Sequence, residues 1–175
     1  TQSGYDDSKA LIGKWHGRGR LMSAITPRFA PTSTADQLIS AGELWSEFPD
    51  CYMQTHVSEN KSEVAWVKEL FPDRKGYLDV YDHSGLCRPR AVFGHGIHLT
   101  EDELSCMHHT GSAISHCPTS NFFLGSGYLD VFRAKDAKRP VCVGLGTDLG
   151  AGTSFSILLT LNEAYKAAQL NNQVL

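Results

Sequence analysis

The 175-residue sequence is poor in the features that would place it outside an ordinary soluble domain. No apolar run approaches the roughly 20 residues that a membrane span needs. There is no basic excess: the net charge is −3 and the isoelectric point about 6.2. That excludes the electrostatic footprint of a nucleic-acid-binding protein. No CxxC occurs, and the five cysteines (Cys51, Cys87, Cys106, Cys117, Cys142) are odd in number. Cys51, Cys117 and Cys142 lie in or beside apolar stretches, so buried free thiols in a reducing compartment are expected rather than a disulfide framework or zinc knuckle. There is no repeat, low-complexity tract or linker. The sequence starts Thr-Gln-Ser, without Met or a signal-peptide pattern, and a piece of a longer chain is expected.

What is present is alternation. Helical spacing covers 6–15, 34–48, 59–71, 77–81, 100–110, 129–137 and 154–169. Apolar strand-like runs cover 21–26, 51–56, 90–94, 112–115 and 141–147. Two prolines bracket a stiff loop at 27–31, and Cys117-Pro118-Thr119-Ser120-Asn121 reads as a rigid polar loop. Short strands alternating with helices predict a parallel α/β sheet with crossover connections.

Polar residues then recur at one place, the C-terminal end of each strand. Arg28 and Phe29 follow the first strand, His56 and Glu59 the second, His95 the third, His116 the fourth and Asp148 the fifth. In a (β/α) barrel these ends share one face, where the chemistry sits. An open doubly wound sheet would instead bind its ligand at a switch point. Five such strand ends favour the barrel.

The stretch Gln54-Thr55-His56-Val57-Ser58-Glu59-Asn60 is central. Its His-x-x-Glu places a nitrogen ligand and a proton-carrying carboxylate at one lip of the sheet. Alone, the same pair could be a solvated loop His and a first-turn Glu favoured by the helix dipole. Asp148 is the stronger signal, because a carboxylate ending the most apolar strand is costly unless paired or bound to a cation. It could also brace the following Gly-Ala-Gly turn. His95 lies between glycines that allow close backbone approach. His116 reads equally well as a catalytic group or as a loop-internal hydrogen-bonding residue. His98 is read as peripheral, His108 and His109 as solvent-facing, and His16 and His83 have no supporting pattern. Arg28 beside Phe29 suits a planar heterocycle, by guanidinium hydrogen bonds and ring contact, although a surface loop with one packed Phe has the same residues. Gly144-Leu145-Gly146-Thr147-Asp148-Leu149-Gly150 fails the dinucleotide pattern, with Leu149 where Gly is required and Asp148 at the mouth.

Thr26-Pro27-Arg28-Phe29, Gln54 to Asn60, Gly94-His95-Gly96, Ser115-His116-Cys117-Pro118-Thr119-Ser120-Asn121 and Leu145-Gly146-Thr147-Asp148 together resemble guanine deaminase, of the amidohydrolase superfamily. The resemblance implies a partial (β/α)8 TIM barrel of the metal-dependent hydrolase type, about strands 4 to 8 with their helices. Residues 1–175 would form one domain truncated at both ends. It implies one zinc ion, with His56 and Asp148 as metal ligands, and guanine as the small-molecule substrate, deaminated to xanthine and ammonia. Glu59, His95 and Asp148 would be catalytic. Arg28, Phe29, His56, Glu59 and Asp148 would bind substrate. It further implies a cytoplasmic protein, homodimeric at full length, with no nucleic-acid or membrane partner. One departure stands out: the His-x-His that opens the family's metal site is not in this sequence. A catalytically silent barrel fragment, or an amidohydrolase for a related purine or triazine, are the alternatives.

Overall fold

A computed structural model describes residues 2–171. The helices are α1 (Gln2–Trp15), α2 (Ala35–Glu47), α3 (Lys61–Leu70), α4 (Tyr77–His83), α5 (Glu101–Thr110), α6 (Pro118–Leu124), α7 (Val131–Ala134) and α8 (Ile157–Leu170). The strands are β1 (Ala24–Ile25), β2 (Tyr52–Val57), β3 (Ala91–His95), β4 (Ala113–His116) and β5 (Cys142–Leu145). They form one parallel sheet in the order β1-β2-β3-β4-β5, with strands neighbouring in space as they follow in sequence. That is the strand order of a barrel wall, not of a doubly wound sheet, in which the order reverses.

Period-two burial explains which face does what. In β2, Met53, Thr55 and Val57 are buried while Tyr52 and Gln54 are exposed and His56 is half-buried. The buried set joins Phe93 and Ile114 in a core with Leu38, Trp45, Leu78, Tyr81, Leu104 and Met107 from the helices. The opposite face carries His56. Helix starts follow their caps: Thr34, Asn60 and Thr100 each form a capping box with Gln37, Glu63 and Glu103.

Several expectations need correction. The first strand shrinks from 21–26 to Ala24–Ile25, and the helix expected over 129–137 to Val131–Ala134. Residues 118–121, expected within a rigid loop over 117–121, lie in helix α6, with Pro118 in its first turn and Gly125 (φ 71°) ending it in the left-handed region. Cys142 is exposed, not buried, because it alternates onto the open face of β5. His108 is half-buried and donates from Nδ1 to the Pro140 carbonyl at 2.8 Å, so only His109 is solvent-facing. Large apolar side chains remain exposed on α6, on α8 and just before α8, among them Phe123 (66%), Leu158 (74%) and Phe155 (86%). Such a surface marks an interaction or association site.

Candidate active site

The strand ends gather on one rim, and three non-glycine residues there adopt left-handed backbone: Ser58 (φ 47°), His95 (φ 70°) and Asp148 (φ 46°). Strain of about 1–3 kcal/mol per residue persists only where surrounding contacts over-determine it, and it clusters at functional sites.

The Ser58–Asn60 turn is held from behind. Glu63 accepts the backbone N–H of Glu59 at 2.9 Å and of Asn60 at 3.2 Å on Oε2. Its Oε1 accepts the Tyr77 hydroxyl at 2.5 Å. Glu59 is thereby presented to the rim, where Ser126 donates to its Oε1 at 3.2 Å. Burial raises the Glu59 carboxyl above the ordinary carboxylate range; the Ser126 bond opposes this and the nearby Asp148 charge adds to it.

His56 donates from Nδ1 to the Arg28 carbonyl at 2.8 Å, since a carbonyl only accepts. In the neutral ring Nε2 is therefore the nitrogen with a free lone pair, the tautomer a metal ligand needs. Thr55 also donates to that carbonyl, at 3.1 Å. Tyr81 bridges the same layers: its hydroxyl accepts the Ala30 N–H and donates to the His56 carbonyl, both at 2.8 Å. The Arg28–Phe29 loop is thus pinned to β2 through backbone. The Phe29 ring meets the His56 ring edge-on at 5.9 Å between centroids, and the exposed Arg28 guanidinium lies 6.0 Å from the Phe29 ring centre.

His56 stacks on His95, with centroids 5.4 Å apart and planes at 23°. His95 is buried (2% exposed), and desolvation pushes its pKa down to about 4; the Asp148 charge opposes the shift and His56 reinforces it. The ring is therefore neutral near pH 7. The 3.5 Å approach of its Nε2 to Glu59 Oε2 is a long contact between a neutral ring and a carboxylate, not an ion pair. Asn121 lies 2.8 Å from His95 Nδ1.

Asp148 follows β5 in a turn closed by the Gly152 N–H on the Asp148 carbonyl at 2.6 Å. It is half-buried, and its charge acts on both Glu59 and His95. The structure therefore brings Phe29, His56, Glu59, His95 and Asp148 to one rim, with Arg28 at its edge. His116 is elsewhere in character: it is buried, neither ring nitrogen has a partner among the described residues, and burial pushes its pKa down to about 4. Of the two readings of His116, the loop-internal hydrogen bonds are not formed among the described residues. His98 bonds through Nε2 to the Ser126 carbonyl at 3.1 Å and so steadies the residue that holds Glu59.

The sequence reading missed Asn121, Ser126, Glu63 and Tyr77. Pro118 and Gly125 bracket α6 in the sequence and could have located Asn121; no sequence signal points to Ser126.

Among the described residues one group of three possible ligands lies close together: His16, Asp50 and Cys51. It sits at the opposite, N-terminal end of the strands. There His16 Nδ1 accepts the Ser23 N–H at 2.9 Å and Nε2 faces Asp50 at 3.0 Å. Both nitrogens are used, so this is a strut rather than a metal site. At the rim, His56 and Asp148 suit zinc in donor type and tautomer but supply two ligands where a zinc site takes three or four protein ligands.

A parallel barrel wall with a histidine- and carboxylate-bearing C-terminal rim is the arrangement of the (β/α)-barrel class. The chain matches the model of the Amidohydrolase family over residues 6–174 and belongs to that family. It is 53% identical to the guanine deaminase of Escherichia coli (strain K12) over 97% of this chain and 38% of that protein. The solved structure of E. coli guanine deaminase superposes with a TM-score of 0.96, at 52% identity, over 99% of this chain and 40% of that one. Guanine deaminase from C. acetobutylicum, solved with guanine in its active site, superposes at 0.91 with 31% identity, over 97% of this chain and 40% of that one. This chain thus spans about two fifths of the length of these relatives. No helix among the described residues is long and apolar enough to cross a membrane.

Proposed function

We propose that this chain carries the proton-transfer side of a guanine deaminase: water is added at C2 of guanine, ammonia leaves and xanthine is formed. The observation that carries the reading is Glu59. Its carboxyl is raised by burial, held by Ser126 and set 3.5 Å from His95, against which the His56 ring stacks. A carboxyl that holds its proton more tightly than usual is suited to give one as well as take one.

Zinc, bound by His56 and Asp148 with further ligands from outside these residues, would supply Lewis acidity and make water a nucleophile at neutral pH. Asp148 accepts the proton of the attacking water. Glu59, protonated at the outset, gives its proton to ring nitrogen N3, then takes up the proton held by Asp148 and delivers it to the leaving amine, and finally receives the hydroxyl proton released as the C2 carbonyl forms. His95 donates a hydrogen bond to the attacking oxygen. Arg28 binds the polar edge of the purine and Phe29 contacts its ring. The close relatives named guanine deaminase support this substrate over another purine or a triazine. The proposed setting is cytoplasmic, with a homodimeric full-length protein.

The short ligand count favours one second reading, a barrel portion that is silent by itself. The test pairs this chain with the portion of the E. coli enzyme that it does not match, adds zinc, and follows guanine and xanthine. Xanthine release, lowered roughly 10²–10⁴-fold in kcat by Glu59→Gln with zinc retained, is the expected result. A zinc-loaded preparation that releases no xanthine overturns the guanine reading.

A further inference from the structure

Asn121 is fully buried on α6, and its only side-chain hydrogen bond among the described residues is to His95 Nδ1, at 2.8 Å. The direction of that bond decides which nitrogen of His95 carries the proton. The Asn121 atom facing Nδ1 is the amide nitrogen Nδ2, which only donates, so Nδ1 accepts. A neutral ring that accepts at Nδ1 carries its proton on Nε2, the nitrogen that faces the Glu59 carboxyl at 3.5 Å. Turning the amide over would place its oxygen, an acceptor, at Nδ1 and put the proton there. The ring would then aim a lone pair at the site or, with both nitrogens protonated, be a buried cation.

We propose that Asn121 sets the tautomer of His95, with the proton on Nε2, so that the nitrogen facing the site is a hydrogen-bond donor and neither a metal ligand nor a proton acceptor. Asn121 reaches Glu59 by a second route. Its backbone carbonyl accepts the Ser126 N–H at 2.9 Å, and the Ser126 hydroxyl holds Glu59 Oε1. One buried residue therefore orders both groups that would move protons or stabilise charge, His95 by its side chain and Glu59 through its backbone. It touches neither substrate nor the reacting atoms in this arrangement and is a positioning residue.

The tautomer is read directly by long-range 1H–15N correlation with 15N-labelled histidine near neutral pH, with His95→Gln identifying the signal. The expected pattern is Nε2 protonated and Nδ1 unprotonated. Asn121→Asp presents a carboxylate, which can only accept, and is expected to move the proton to Nδ1. Asn121→Ala removes the constraint and is expected to show both tautomers. Nδ1–H in the unaltered protein, or one unchanged tautomer in both variants, overturns the proposal. The catalytic consequence rests on the guanine deaminase reading: Asn121→Asp should lower kcat roughly 10–100-fold with little change in KM. If the tautomers behave as stated while the unaltered protein forms no xanthine, the substrate reading fails and the assignment of Asn121 stands.

Discussion

The Tyr77 hydroxyl donates to Glu63 Oε1 at 2.5 Å, and the other oxygen of the same carboxylate receives the backbone N–H groups of Glu59 and Asn60. Both side chains are buried. A helix-capping carboxylate is thus also the support of the candidate proton carrier one turn away. Burial drives the Tyr77 hydroxyl strongly upward in pKa, so it remains a donor throughout the accessible range. Tyr77→Phe leaves Glu63 Oε1 short of a partner. It is expected to cost about 1–3 kcal/mol in denaturant unfolding. Because Glu59 is then less firmly placed, kcat should fall while zinc content is unchanged. An unchanged unfolding midpoint would show that this bond contributes no net stability.

Acid should unfold the protein earlier than its carboxylates alone would dictate. His95 and His116 are held down to about 4 by burial, from 6.5 for the free side chain. In the window between those values the unfolded chain binds protons that the folded chain refuses. Stability from each is therefore fully present above about 6.5 and is lost as pH falls toward 4, by roughly 3 kcal/mol per histidine. His116 offers the clean test, since neither of its nitrogens has a partner among the described residues. His116→Leu removes one titrating group without breaking a hydrogen bond. Its acid-unfolding midpoint, followed by circular dichroism, is expected at lower pH. An unmoved midpoint would sink this account.

The strand-end residues were legible because a parallel α/β alternation sends every strand's C-terminal end to one face, whatever the intervening sequence. His56, Glu59, His95 and Asp148 could be placed from that rule alone. What escaped was the layer behind them. Asn121 sits in Cys-Pro-Thr-Ser-Asn, whose composition favours a loop, yet Pro in the first turn and Gly125 past the end stabilise a short helix. Ser126 reaches Glu59 across 67 positions of sequence, and no local pattern encodes such a meeting. Cys142 was misplaced for a related reason: β5 is apolar throughout, so the sequence does not say which face is covered.

Glycine at position 42 answers a close approach between α2 and the end of α4. A Cβ there would lie 1.9 Å from the Ser84 carbonyl oxygen, a backbone atom that cannot swing aside. Gly42→Ala gains about 1 kcal/mol of helix propensity. Overpacking opposes this with typically 1–3 kcal/mol, and more where backbone must shift. Net destabilisation is expected. Gly13→Ala is the control: a Cβ in α1 at that position meets nothing within 4 Å, so the same exchange should stabilise by roughly 0.5–1 kcal/mol. Thermal unfolding of the two variants should therefore move in opposite directions.

The turn that seats Asp148 makes a sharper demand. A Cβ on Gly152 would stand 1.9 Å from the Thr147 carbonyl oxygen and 2.9 Å from that of Asp148. The same segment is closed by the Gly152 N–H on the Asp148 carbonyl, and Asp148 itself holds a left-handed backbone with φ of 46°. Nothing in the turn can yield without moving the carboxylate. The turn lies beyond β5, and the core residues come from other elements. Gly152→Ala is therefore expected to leave the folded core intact and to act on the site. In the protein completed with the portion supplied by its E. coli relative, zinc affinity should fall roughly 10–100-fold, the scale found when support behind a metal ligand is removed. Equilibrium dialysis against a zinc buffer measures this, with thermal unfolding alongside. Unchanged zinc affinity would exclude Asp148 as a ligand placed by this turn. An equal fall in Asp148→Asn, with the core again unaffected, would locate the loss at the carboxylate.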